Sequence, residues 1–119
     1  RVVTLRELAR TAHVLDRAAD LIPAAARESL RVLPGVGVWT AAEISARAFG
    51  DADSVSFGDY HLARNVTYAL TGRENGTDDD MAALLAPYSG HRHRVVRMVE
   101  LAGVAPPRRG PRMRLPGPR

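Results

Sequence analysis

The chain has 119 residues, 45% of them hydrophobic, which is enough for one domain around one core. It carries 17 basic and 13 acidic side chains, and no apolar run approaches the ~18 residues of a membrane span. With no cysteine, disulfides, thiolate nucleophiles, thiolate zinc sites and cysteine-held iron–sulfur clusters are excluded; with no lysine, so is lysine Schiff-base chemistry. Nothing resembles a signal peptide. Five arginines (Arg108, Arg109, Arg112, Arg114 and Arg119) follow Val104, leaving 12 arginines against 13 acids before it. The sequence pI near 10.6 therefore reports mostly the tail, and charge alone is a weak argument for nucleic acid.

Leu5, Leu8, Ala12, Leu15 and Ala19 recur at three- and four-residue steps and predict one amphipathic helix over 4–20. Pro23 suits the first turn of a second helix running to about Leu33. Leu33-Pro34-Gly35-Val36-Gly37 is a tight turn, and a third helix follows from Val38 to Phe49, closed by Gly50. After a loop over 51–58, Asp59 is placed to cap a helix that carries Leu62, Val66, Ala69 and Leu70 on one face. Thr77 with Asp80 forms a variant capping box ahead of Met81, Leu84, Leu85 and Tyr88. A last helix over 90–102 carries Val95, Val96 and Val99 and ends at Gly103. Residues 104–119 hold five of the eight prolines and are expected to be a disordered or surface-hugging tail. The expected class is all-α, with a helical domain over 1–103.

The helix–Pro-Gly-Val-Gly–helix unit is the most informative local feature. Gly35 and Gly37 leave the backbone uncovered, and the amides opening the third helix favour an anion, so one phosphate can be held without sequence preference. The plain alternative is a glycine-capped turn that binds nothing. His91-Arg92-His93-Arg94 starts the last helix. Histidines two apart on a helix diverge by ~200°, which disfavours a metal and leaves a phosphate-facing cluster or a solvated face. His61 and His13 support nothing specific, and Asp78-Asp79-Asp80 reads as a helix-start cluster.

The string Leu33-Pro34-Gly35-Val36-Gly37-Val38-Trp39-Thr40-Ala41, followed by Ser56-Phe57-Gly58-Asp59-Tyr60, resembles the helix-hairpin-helix (HhH-GPD) base-excision DNA glycosylases. Within them it is most similar to the 3-methyladenine DNA glycosylase II branch of alkylation repair, over about residues 1–103. The resemblance implies that amides of Gly35, Val36, Gly37 and Thr40 hold DNA backbone. It also implies that main-chain carbonyls of Arg31, Leu33 and Val36 hold a monovalent cation, sodium or potassium, with no other cofactor required and no iron–sulfur cluster. Asp59 matches the catalytic aspartate. A carboxylate beside C1′ stabilises the oxocarbenium-like state that develops as a base departs, and orients the attacking water. The competing reading of Asp59 is an ordinary N-cap, worth roughly 1 kcal/mol, and both can hold.

Strand-nicking relatives carry a lysine where this chain has Trp39, so the resemblance implies a monofunctional enzyme that leaves an abasic site. An indole is a suitable floor for a cationic alkylated base that has been flipped out of the duplex; without the motif, Trp39 would read as core. Tyr88 stands where the family places a pocket aromatic, but also completes the stripe of Met81, Leu84 and Leu85. Tyr60 is a second pocket candidate. The family's domain is nearer ~200 residues, so the resemblance implies that this chain is its C-terminal portion. The expected partner is double-stranded DNA with a damaged base, with no membrane and a monomeric protein. Arginine in place of lysine, with abundant alanine and glycine, is consistent with a GC-rich bacterial gene and a cytoplasmic, nucleoid-associated enzyme. Two other functions fit parts of the pattern. A non-catalytic helix-hairpin-helix module or inactive glycosylase fragment would hold DNA backbone only, and a helical protein-interaction domain would show no DNA affinity.

Overall fold

The computed structural model describes residues 2–108 and 110; the rest of the proline–arginine tail lies outside the described residues. Among them there are seven α-helices and no strand: α1 (Val2–Arg10), α2 (Ala12–Ala19), α3 (Pro23–Leu30), α4 (Val38–Ala48), α5 (Tyr60–Thr71), α6 (Asp78–Leu85) and α7 (Arg92–Ala102). No helix is long and apolar enough to cross a membrane.

The single helix expected over 4–20 is two. At Thr11 the backbone N–H is shared between the carbonyls of Glu7 (3.0 Å) and Leu8 (3.2 Å), and the hydroxyl donates to the Glu7 carbonyl at 2.8 Å. A hydroxyl bonded back to the preceding turn competes with the helical ladder, and the chain turns there. α3 stops at Leu30, short of the expected Leu33. The amides of Arg31, Val32 and Leu33 donate to the carbonyls three residues back, tightening the last turn, and Pro34 disfavours a helical residue before it. Gly35 then adopts φ +80°, a left-handed conformation that L side chains rarely take, and the Val36 N–H closes on the Leu33 carbonyl at 3.1 Å. Later boundaries follow local signals. Asp59 caps α5, and Thr77 with Asp80 forms a reciprocal capping box on α6.

Two apolar clusters result. Leu30, Leu33, Val36 and Ala41 form one, with Leu8, Val14, Leu15, Ile44 and Phe49 packed against it. Leu62, Ala63, Val66, Met81, Leu85, Val96 and Val99 form the larger one, joined by Val55 from the 51–58 loop.

That loop is tied to helices on both sides by polar side chains. Asp51 accepts from Arg27 of α3 and from the Ser45 hydroxyl of α4 at 2.9 Å. The Ser54 hydroxyl donates to the Ala42 carbonyl at 2.8 Å, and the Ser56 hydroxyl donates to Glu43. In the other direction, Asp53 holds the start of α7 and Gly58 N–H donates to Asp78 of α6 at 2.7 Å. The loop positions one face of α4, the start of α5 and one face of α7 around one cavity. Beyond α7, Pro106 is buried, and Ala105, Pro107 and Arg108 join Arg64 and Asn65 of α5 in lining a separate, polar cavity.

Candidate active site

The cavity at the seam encloses about 310 Å³ and is lined from three sides. α4 contributes Trp39, Glu43 and Arg47, which are four residues apart and therefore share one helix face. The loop and the first turn of α5 contribute Ser56, Asp59 and Leu62, and α7 contributes His93, Val96, Arg97 and Glu100 at helical spacing. Trp39 and Asp59, 20 positions apart in sequence, thus line the same space.

Trp39 sits in the first turn of α4 and is 46% exposed, so it is not the core residue its helix position alone would allow. Asp59 is half-buried at the N-cap of α5. Its Oδ1 accepts the N–H groups of His61 (2.9 Å) and Leu62 (3.1 Å), which fixes the carboxyl group by main-chain geometry. Among the described residues neither interaction is an ion pair, whereas the other carboxylates of the cavity, Glu43 and Glu100, are paired with Arg47 and Arg97.

Glu43 is the most engaged side chain of the cavity. One oxygen accepts from the Ser56 hydroxyl and the other from Arg47. Burial pushes its carboxyl up, but the hydrogen bonds from Ser56 and Arg47, with the charges of Arg47 and His93, outweigh it and hold the group below the ordinary glutamate value. His93 is positioned by the loop: its N–H donates to the Ala52 carbonyl at 3.0 Å and its ring Nδ1 lies 3.2 Å from the Ser54 carbonyl.

The two expected pocket tyrosines do not join this space. Tyr60 is 66% exposed, stacks edge-on with His61 and lies under the Arg64 guanidinium, 5.3 Å from its ring centroid. Tyr88 closes a short 3-10 turn after α6 and is 43% exposed, outside the apolar cluster its spacing suggested. The hairpin residues Gly35 and Gly37 are exposed, Thr40 is half-buried, and Val36 is buried in the smaller core. Gly37 opens α4 with φ −87°, and no side chain caps the helix. A Cβ at Gly37 would meet nothing within 4 Å, so neither backbone conformation nor internal packing requires glycine there. The main-chain carbonyls of Arg31, Leu33 and Val36 lie on the same turn. The Leu33 carbonyl among them accepts the Val36 N–H. Among the described residues, no group of three or more histidine or carboxylate side chains is placed to hold a metal.

At the start of α7, His91 and Arg94 are exposed, whereas Arg92 is engaged from within. Asp53 Oδ1 accepts the N–H of Gly90 (2.8 Å) and of Arg92 (3.2 Å), and both its oxygens accept from the Arg92 guanidinium. Arg92 and these amides hold the Asp53 carboxyl down at about 2 against the opposing effect of burial. An internal carboxylate thus takes the side chain and amide of Arg92. In the acidic run 78–80, Asp80 completes the α6 capping box and pairs with Arg73.

Glu43, Arg47, Arg97 and Glu100 were not singled out by the sequence, and His93 was read only as part of a charged helix start. The available signal was the four-residue stride from Trp39 through Glu43 to Arg47, with steps of four and three from His93 through Arg97 to Glu100, but a stride of charge does not say what it faces. No family model matches the chain, and it matches no curated protein and no solved structure.

Proposed function

We propose that this chain is a monofunctional DNA glycosylase of the helix-hairpin-helix, 3-methyladenine type, hydrolysing the N-glycosidic bond of alkylated bases in duplex DNA. The observation that carries the reading is the shared cavity of Trp39 and Asp59. An exposed indole and an N-capping carboxylate that lacks an ion-pair partner among the described residues are what a flipped, cationic aromatic base and its departing sugar require. The C1′–N bond breaks with its electron pair going to the base. Asp59 stabilises the positive charge left on the sugar, and water adds its oxygen to C1′ while a proton passes to the carboxylate. No lysine is available for strand cleavage. The hairpin supports the reading through Gly37, whose missing side chain leaves the amides of α4 uncovered two residues before Trp39; that opening suits a DNA phosphate and a duplex partner.

The engagement of Asp59 Oδ1 by two amides also favours a second reading, a module that holds DNA backbone and does no chemistry, with Asp59 only a cap. Asp59→Asn separates the two, because asparagine caps a helix about as well as aspartate but carries no charge. The expected outcome is release of methylated bases from duplex DNA by the wild-type chain, reduced at least ~100-fold in the variant at nearly unchanged duplex affinity. Salt-sensitive duplex binding with no base release by the wild type would establish the non-catalytic module instead.

A further inference from the structure

The reaction above serves a base that already carries positive charge and leaves neutral. A neutral damaged purine would leave as an anion, and neither Asp59 nor Trp39 can supply a proton to it. The cavity contains one side chain that can. Arg47 and Arg97 are donors that do not release protons, and they are paired with Glu43 and Glu100. Glu43 is held ionised by Ser56 and Arg47. The phenols of Tyr60 and Tyr88 are outside the cavity lining. His93 remains, on the first turn of α7 across from α4, lining the same cavity as Asp59.

Its ring orientation follows from its partner. A carbonyl oxygen only accepts, so the 3.2 Å contact with Ser54 places a hydrogen on Nδ1 in both the neutral and the charged ring. Nε2 is therefore the nitrogen that gains and loses the proton, and it has no hydrogen-bond partner among the described residues. The charged groups that line the cavity with it are Glu43 and Arg47 from α4, Asp59 from the start of α5, and Arg97 and Glu100 from its own helix. Three of these groups are carboxylates and two are guanidiniums, and the charge of His93 is one of the influences that lower the Glu43 carboxyl.

We infer that His93 is a general acid for neutral damaged purines, giving its Nε2 proton to a ring nitrogen of the flipped base as the C1′–N bond breaks. The inference rests on the glycosylase reading and adds a leaving-group role to it. The bonding pair goes to the base, which departs neutral, and water adds to C1′ while its proton passes to Asp59. Solvent then reprotonates His93 and deprotonates Asp59, so the cycle closes without another reactant. A neutral base draws on that proton as it leaves, so its release depends on the imidazole. Release of a cationic base lacks that dependence on the proton of His93.

The test compares duplexes bearing 7-methylguanine, which is cationic, and hypoxanthine, which is neutral, for the wild-type chain, His93→Gln, His93→Phe and Asp59→Asn. The readout is the ratio of the hypoxanthine rate to the 7-methylguanine rate, so a general loss of folded protein cancels. In both His93 variants this ratio should fall by roughly 100-fold. Asp59→Asn should abolish both rates. Equal loss on both bases, an unchanged ratio, or a wild type that releases only 7-methylguanine would overturn the inference while the glycosylase reading stands. Release of neither base by the wild type would overturn both.

Discussion

The two halves of this molecule treat their helix starts differently. In the half built on α1 to α4, the helices α2, α3 and α4 begin at Thr11, Ile22 and Gly37 without a side-chain cap. In the other half, α5 and α6 begin on Asp59 and Thr77, and the first two amides of α7, those of Arg92 and His93, are taken by Asp53 and by the Ala52 carbonyl. The second half satisfies its own main-chain donors and closes its helices on left-handed Gly72 and Gly103. The first leaves the start of α4 open beside the cavity. Two helix starts flanked by arginine or glycine are therefore not equivalent binding places: α7 is occupied from within, whereas α4 leaves its amides to solvent or a ligand.

The apolar clusters divide in the same way, and a pair of core truncations tests how far the halves depend on each other. Leu85 and Leu30 are each fully buried, one in each cluster. Replacing either with alanine should cost about 2–5 kcal/mol where it stands. The larger cluster includes Val55 of the 51–58 loop, so Leu85→Ala should loosen the loop and with it the cavity. Amide hydrogen exchange should show protection lost from both halves. Leu30→Ala should lower protection in α1 to α4 while α5 to α7 keep theirs. Equal loss everywhere in both variants would mean that the molecule is one cooperative unit without the asymmetry described.

Asp53 sharpens the contrast at the seam, since it ties the loop to the capped half. Its carboxyl is held at about 2, against an ordinary value of 3.8, first by the Arg92 side chain and then by the amides of Arg92 and Gly90. A carboxyl held down in the folded state binds its proton more readily when unfolded. Its stabilisation is thus fully present above about pH 4 and is lost as pH falls through about 2. Asp53→Asn should cost roughly 2 kcal/mol at neutral pH, as for hydrogen bonds to a charged group. Denaturant midpoints of the two proteins should converge between pH 4 and pH 2. A gap that stays constant across that range would show that the charge of Asp53 contributes nothing.

What could be read from the sequence was local. The cap of α5 at Asp59, the capping box of Thr77 and Asp80 and the end of α7 at Gly103 are each specified within four residues, and all are present. The break at Thr11 was missed because a threonine hydroxyl bonding backwards leaves the apolar spacing of the helix intact. The ties of Arg27 to Asp51, Ser56 to Glu43 and Arg92 to Asp53 span 24, 13 and 39 positions, and no periodicity announces a pairing at such range. The candidate site was half legible for the same reason. Trp39 and Asp59 stood out through the motif around them, whereas Glu43 and His93 gain meaning only once the loop brings α4 and α7 to one cavity.

A pair of glycines makes the smallest and most selective test of the contrast. Gly72 closes α5 at φ +78°, where a Cβ is strained by about 1–2 kcal/mol, so Gly72→Ala should lower stability by that amount and leave duplex binding unchanged. Gly37 has φ −87° and open space around the added atom, so Gly37→Ala should change stability by less than ~0.5 kcal/mol. If the start of α4 receives a DNA phosphate, the new methyl group stands where the backbone must be approached, and duplex affinity should fall about tenfold at low salt, the equivalent of ~1.4 kcal/mol. Thermal melts and fluorescence anisotropy with an undamaged duplex measure both quantities on the same samples. Full affinity in Gly37→Ala would mean that the open helix start is not the place where DNA is held, and the difference between the two halves would then be one of stability alone.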